Sequence, residues 1–217
     1  MTAADAIDAL NSFLATNPSE AQLAAKIKDL ADGLSIAQDT PANPDRVWLA
    51  YSGGTFPDPD KTDFSGVPYE SAMEFAASNR GAYGIIDNSE VGKFLGSADV
   101  SNAIVEVYGS LWTDSAKLLR FGSSTVDEHG NVVPDGMWDK ASMRYAEAAS
   151  GDVVLFGPNA REDRIFSLIE LPTLMNNPAV TSINGHSKSE LAAIASEWEA
   201  SAWGRYRQRG YFRDCCR

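Results

Sequence analysis

Disulfide capacity is the first thing this sequence lacks. Its two cysteines, Cys215 and Cys216, are adjacent near the C-terminus. Neighbouring cysteines rarely bridge each other, and no internal partner exists, so the core must hold without staples, which suits a reducing compartment. Positive charge is also scarce. Eighteen Lys and Arg against 30 Asp and Glu give a formal net charge of -12. Non-specific nucleic-acid binding needs a positive surface to displace counterions, and adhesion to an anionic membrane needs the same, so neither partner is expected. No apolar run approaches the roughly 18 residues of a membrane span. Met1-Thr2-Ala3-Ala4-Asp5 has no basic segment of the kind that opens a secretory signal. His129 and His186 have no second His or Cys at metal-ligand spacing, so no metal is expected. No P-loop, Gly-x-Gly-x-x-Gly or nucleophile-elbow motif occurs.

What is present fits a folded chain. At 217 residues it suits one large domain or two small lobes, and five Trp, seven Tyr and nine Phe can fill a core. Residues 3–16 set Ala6, Ile7, Leu10, Phe13 and Leu14 on one helical face. A second helix after Asn17-Pro18-Ser19-Glu20 carries the stripe Leu23, Ile27, Leu30, Leu34. A short strand is predicted at 46–51, then helices near 68–79, from Asn88 to Leu95 and from Val100 to Leu119. Residues 121–136 read as an exposed, turn-rich loop. The later part alternates: helix 138–149, strand 152–156, a short element carrying Glu170, strand 179–184, helix 188–203. That alternation predicts an α/β fold with a parallel sheet. The expected organisation is a mainly helical lobe over 1–120 and a small α/β lobe over 121–217, one functional unit with its site between the lobes.

The segment from Trp138 to Glu170 carries the functional signal. It runs Trp138-Asp139-Lys140-Ala141-Ser142-Met143-Arg144-Tyr145-Ala146-Glu147-Ala148-Ala149, then a valine-rich strand, then Ile165-Phe166-Ser167-Leu168-Ile169-Glu170-Leu171-Pro172. Glu170 is a lone carboxylate in an apolar stretch, so it is either functional or turned to solvent. Trp138 is either a stacking platform for a cationic ring, worth about 0.5–2 kcal/mol, or a core anchor. Ser142 lies one helical turn later and can share its face.

This ordered series resembles the ADP-ribosyl cyclase family, enzymes that cleave nicotinamide from NAD and hydrolyse or cyclise the remainder. The resemblance covers about residues 46–203. It implies a helical lobe joined to a small α/β lobe, with Glu170 as the carboxylate that binds the ribose and stabilises its developing positive charge. Trp138 would stack on nicotinamide and Ser142 would meet phosphate, although an ordinary helix serine fits there equally. Ala82-Tyr83-Gly84-Ile85-Ile86-Asp87-Asn88-Ser89-Glu90-Val91-Gly92-Lys93-Phe94-Leu95 is similar to a second family segment. That likeness puts Asp87 opposite the nicotinamide, where the family has an acid; Asp87 is equally suited to cap the next helix. The family's Trp-Ser-Gly segment has two candidates, Phe64-Ser65-Gly66 and Tyr51-Ser52-Gly53. Ile165, followed by Phe166, stands where a bulky aromatic favours cyclisation, so linear ADP-ribose is the expected main product. NAD or NADP would be a substrate, with no resident cofactor.

The animal members are extracellular, disulfide-rich and often membrane-anchored; this chain departs from them. A cytoplasmic signalling enzyme, or an NAD-depleting toxin secreted into a target cell and guarded by a cognate inhibitor, accounts for that departure. The alternative is a noncatalytic nucleotide-binding or interaction protein that keeps the fold.

Overall fold

The computed structural model describes residues 1–36, 47–51, 74, 77–78, 83–109, 125–126, 132–133, 136–156, 165 and 169–192. It begins with two capped helices, α1 (Ala3–Leu14) and α2 (Glu20–Asp32). Thr2 Oγ1 accepts the Asp5 N–H while the Asp5 carboxylate accepts the Thr2 N–H at 2.8 Å. Ser19 and Gln22 repeat the device for α2. Each reciprocal pair satisfies backbone donors that a helix start leaves open. The apolar stripes then face inward: Ala6, Leu10, Leu23, Ile27, Leu30 and Leu34 are buried, while Ile7, Phe13 and Leu14 of the expected α1 face are half-buried.

Strands β1 (Val47–Tyr51) and β2 (Tyr83–Gly84) follow. A single 3₁₀ turn, Ile86–Asn88, leads to α3 (Glu90–Leu95) and then α4 (Ala98–Tyr108). Residues Thr125–Val126 (β3) and Val132–Val133 (β4) pair antiparallel, so the segment read as loop contains a small hairpin. Helix α5 (Met137–Ala148), strand β5 (Gly151–Phe156), helix α6 (Leu171–Asn176) and strands β6 (Val180–Ile183) and β7 (His186–Ser187) complete the described elements.

The main sheet has the order β2-β1-β5-β6-β7. Its first four strands are parallel and β7 is antiparallel to β6. The fold is thus mixed α/β, more helical than extended among the described residues. β1 and β2 belong to the first half of the chain yet share this sheet with β5, β6 and β7, so the sheet spans the division at residue 120. β7 was not expected. It forms because Asn184 and Gly185 take φ values of 52 and 75, the left-handed geometry of a two-residue hairpin turn. Asn184 also continues the sheet with its side chain: Oδ1 accepts the Leu155 N–H at 2.8 Å and Nδ2 donates to the Leu155 carbonyl at 3.3 Å.

The helices and the sheet close over one apolar cluster that includes Leu10, Leu23, Ile27, Phe94, Ile104, Met137, Tyr145, Val153 and Val180. Burying each large side chain contributes about 1.5–3 kcal/mol. Helix α2 docks on α5 through Arg144, which donates to the Ala31 carbonyl at 3.2 Å and the Leu34 carbonyl at 2.6 Å. Those carbonyls lie at the end of α2, where the helix leaves acceptors open. No helix among the described residues is long and apolar enough to cross a membrane.

Candidate functional site

Short connections decide where the site residues fall. Only Ala149 and Ser150 separate α5 from β5, and only 177–179 separate α6 from β6. Links that short make each helix run back against the strand it feeds, so the N-terminal ends of α5 and α6 lie toward the carboxyl ends of the parallel strands. The turn holding Asp87 leaves the carboxyl end of β2 after one residue, Ile85. In open α/β sheets that edge is where ligands bind.

There the structure brings together three residues far apart in sequence. Glu170 is 7% exposed. Its carboxyl is pushed up to about 7, first by burial; the Ser142 hydroxyl, hydrogen-bonded to it, opposes the shift, and the negative charge of Asp87 adds to it. Ser142 is itself buried and Asp87 is half-buried. Burial and a nearby like charge both disfavour the ionised carboxylate, so the shift follows from where the fold places Glu170.

Glu170 has helical backbone angles, φ -68 and ψ -51, and immediately precedes α6. With Ile169 it forms a wide π-type turn, a distortion frequent at functional sites. Thr173 Oγ1 donates to the Ile169 carbonyl at 2.6 Å and holds the turn. Pro172 is tolerated there because the first turn of a helix leaves its N–H groups without intrahelical partners.

Helix α5 starts one residue earlier than the sequence suggests, at Met137. Asp139, wholly buried, accepts the Gly136 N–H at 3.0 Å and so fixes that start. Trp138, its second residue, is half-buried and packs against the core, one turn before Ser142. Ile165 is half-buried in helical backbone. Tyr51 ends β1 in register with Phe156, the last residue of β5. The Tyr51 side chain, Phe64 and Phe166 lie outside the described residues. Asp87 does not cap the following helix: Ser89 does, its Oγ accepting the Gly92 N–H at 3.1 Å.

Two supporting residues were missed. Tyr145, buried on α5, donates from its hydroxyl to the Gly84 carbonyl at 2.5 Å and ties the helix of Ser142 to the strand that leads to Asp87. Asn177 donates from Nδ2 to the carbonyls of Ala146, Glu147 and Ala149 at 2.8–3.0 Å, while its Oδ1 accepts the Ala179 N–H at 2.9 Å. It locks the end of α6 to the end of α5, and so the Glu170 helix to the Ser142 helix. Lys188 donates its ammonium to the Asn177 carbonyl. The sequence signal for Tyr145 was the Ser-x-x-Tyr spacing; for Asn177 it was only an Asn followed by Pro after a helix.

Among the described residues, no three His, Cys, Asp or Glu side chains gather as a metal ion would require. Comparison with family models, with curated proteins and with solved structures finds no match for this chain.

Proposed function

We propose that this chain cleaves the nicotinamide–ribose bond of NAD or NADP, releasing nicotinamide and mainly linear ADP-ribose, on an ADP-ribosyl cyclase-like fold. The observation that supports it best is the buried Glu170 carboxyl, hydrogen-bonded to Ser142, its proton affinity raised further by the charge of Asp87. Cleavage at C1′ sends the bonding electron pair to the pyridine nitrogen. Nicotinamide leaves neutral and the ribose becomes an oxocarbenium-like cation. The leaving group needs no proton, so one carboxylate beside the ribose suffices, unlike the acid/base pair of ordinary glycosidases. Glu170 stabilises that cation electrostatically from its buried position. Asp87 attracts the positive nicotinamide ring, and Trp138 stacks on it. Binding a cation relieves the repulsion between the two carboxylates, so the substrate itself favours ionised Glu170. Water then adds to C1′ and its proton passes to Glu170, whose affinity near neutrality suits the task. The parallel sheet with helices packed on it supports the fold reading.

A chain that destroys NAD inside a cell needs restraint, which a cognate inhibitor of a delivered toxin, or slow turnover in a cytoplasmic signalling enzyme, supplies. The test is incubation of the purified chain with NAD, with chromatography of the products. Nicotinamide released at many turnovers per chain is expected, with linear exceeding cyclic ADP-ribose. No release from NAD or NADP sinks the proposal in favour of a noncatalytic binding protein. Because Glu170 must lose its proton to act, kcat/KM should rise with pH through about 7. A profile that stays flat down to about pH 5 contradicts the role of Glu170.

A further inference from the structure

Gly92 lies inside α3, where glycine is a costly choice for a helix. Space explains it. A Cβ at this position would sit 2.0 Å from the Ile86 carbonyl oxygen, 2.7 Å from the Ile86 carbonyl carbon and 2.8 Å from Asp87 Cα. All three are backbone atoms of the Ile86–Asn88 turn, so no side-chain rotation can make room. Ser89 adds two links across the same gap. It is wholly buried; its Oγ donates to the Ile86 carbonyl at 2.5 Å and accepts the Gly92 N–H at 3.1 Å. Helix α3 is thereby pressed against the turn that carries Asp87. The negative charge of Asp87, on this turn, raises the proton affinity of Glu170, and the Ser142 hydroxyl, on α5, hydrogen-bonds to Glu170 and opposes that rise.

We infer that Gly92 and Ser89 are positioning residues for the site: by holding α3 in backbone contact with the Ile86–Asn88 turn, they fix the position from which the Asp87 carboxylate acts on Glu170. The catalytic meaning of this placement rests on the proposed role of Glu170; the placement itself is testable without substrate. A change at Gly92 acts through Asp87, so its effect must vanish where Asp87 carries no charge.

The experiment is an NMR titration of ¹³C-carboxyl-labelled glutamates in the full chain, with Glu170→Gln identifying the Glu170 signal. Asp87→Asn is expected to lower the Glu170 midpoint by about half a pH unit or more, because a like charge is removed. In a Gly92→Ala background the same substitution should lower it by less than half as much. Should Gly92→Ala fail to fold, as judged by circular dichroism, Ser89→Ala replaces it, since that change removes both hydrogen bonds and adds no atom. The inference is overturned if Asp87→Asn moves Glu170 equally in both backgrounds, or does not move it at all. Wild-type chain that titrates as expected but releases no nicotinamide from NAD leaves the positioning standing and refutes the enzymatic reading, so the two failures are distinct.

Discussion

The helix pair α1–α2 and the helix pair α5–α6 solve the same packing problem with different materials. Both present inward faces to one core. The first pair buries only apolar side chains among its described residues; Asp139 and Ser142 on α5, and Glu170 and Asn177 at the two ends of α6, are buried polar groups. Burying polar atoms costs free energy unless each finds partners, and burying a carboxyl costs more. Asn177 offsets its cost with hydrogen bonds to α5 that fix geometry. Glu170 is only partly offset: its hydrogen bond to Ser142 opposes the effect of burial, and its proton affinity stays raised. On the proposed function, a fold that accepts this in one helix pair and avoids it in the other separates the part that holds the molecule together from the part that carries the site.

The sharpest way to probe that division is Glu170→Gln. It should reduce nicotinamide release from NAD by a hundredfold or more, since removing a charge-stabilising group typically costs that much. A variant that keeps over about a tenth of the wild-type rate places the chemistry elsewhere. Leu23→Ala in α2 is the counterpart. Leu23 is wholly buried, so truncation should cost about 2–5 kcal/mol of stability in urea denaturation, with KM unchanged in the folded fraction. A changed KM with unchanged stability would erase the distinction between the two pairs.

Glu170→Gln has a second consequence, opposite in sign. The native state holds a proton on Glu170 up to about 7 and the unfolded chain only to 4.5, so stability from this group is fully present below 4.5 and lost as pH rises through 7. At pH 8 the wild type therefore carries a penalty of up to about 3 kcal/mol that the neutral glutamine escapes. The variant should melt higher than wild type at pH 8, with the gap closing toward pH 4.5. A variant less stable at both ends means that Glu170 is a structural residue. The smallest effect expected is at Ser19, where alanine removes the α2 cap, costs about 1 kcal/mol of stability in urea denaturation and leaves the Glu170 titration untouched.

Legibility followed the range of the interactions involved. Helices α1 and α2 are readable from apolar spacing and from the break at Asn17-Pro18-Ser19-Glu20, because caps and stripes are local. The alternation of helix and strand from 138 onward predicted parallel strands for the same reason. The family resemblance groups Asp87, Ser142 and Glu170 in one site, but their meeting depends on short αβ connections and on β2 joining the sheet, which no local pattern declares. Gly92 reads as a weak helix residue until the turn against it is seen. Asn177 reads as a loop residue, because its partners lie some thirty positions back. The hairpin β3–β4 and strand β7 rest on two-residue strands, too short to show alternation. For β7 the Asn184-Gly185 pair was a usable turn signal, and reading the preceding strand through Asn184 absorbed it.

That same Asn-Gly pair has a chemical lifetime. Asparagine before glycine is the sequence most prone to cyclise and deamidate, through attack of the glycine nitrogen on the side-chain amide, and asparagine is among the heat-labile residues. Here both partners of that reaction are occupied. The Asn184 amide is engaged with Leu155 through both of its polar atoms, and the Gly185 N–H is held by Asp152 at 3.0 Å. Ring closure requires these bonds to open together, so the appearance of aspartate at 184 in stored protein becomes a clock for fraying of the sheet's β7 edge. Once formed, that aspartate sets a new negative charge beside Asp152 and an acceptor against the Leu155 carbonyl, and the edge that opened once opens more readily thereafter.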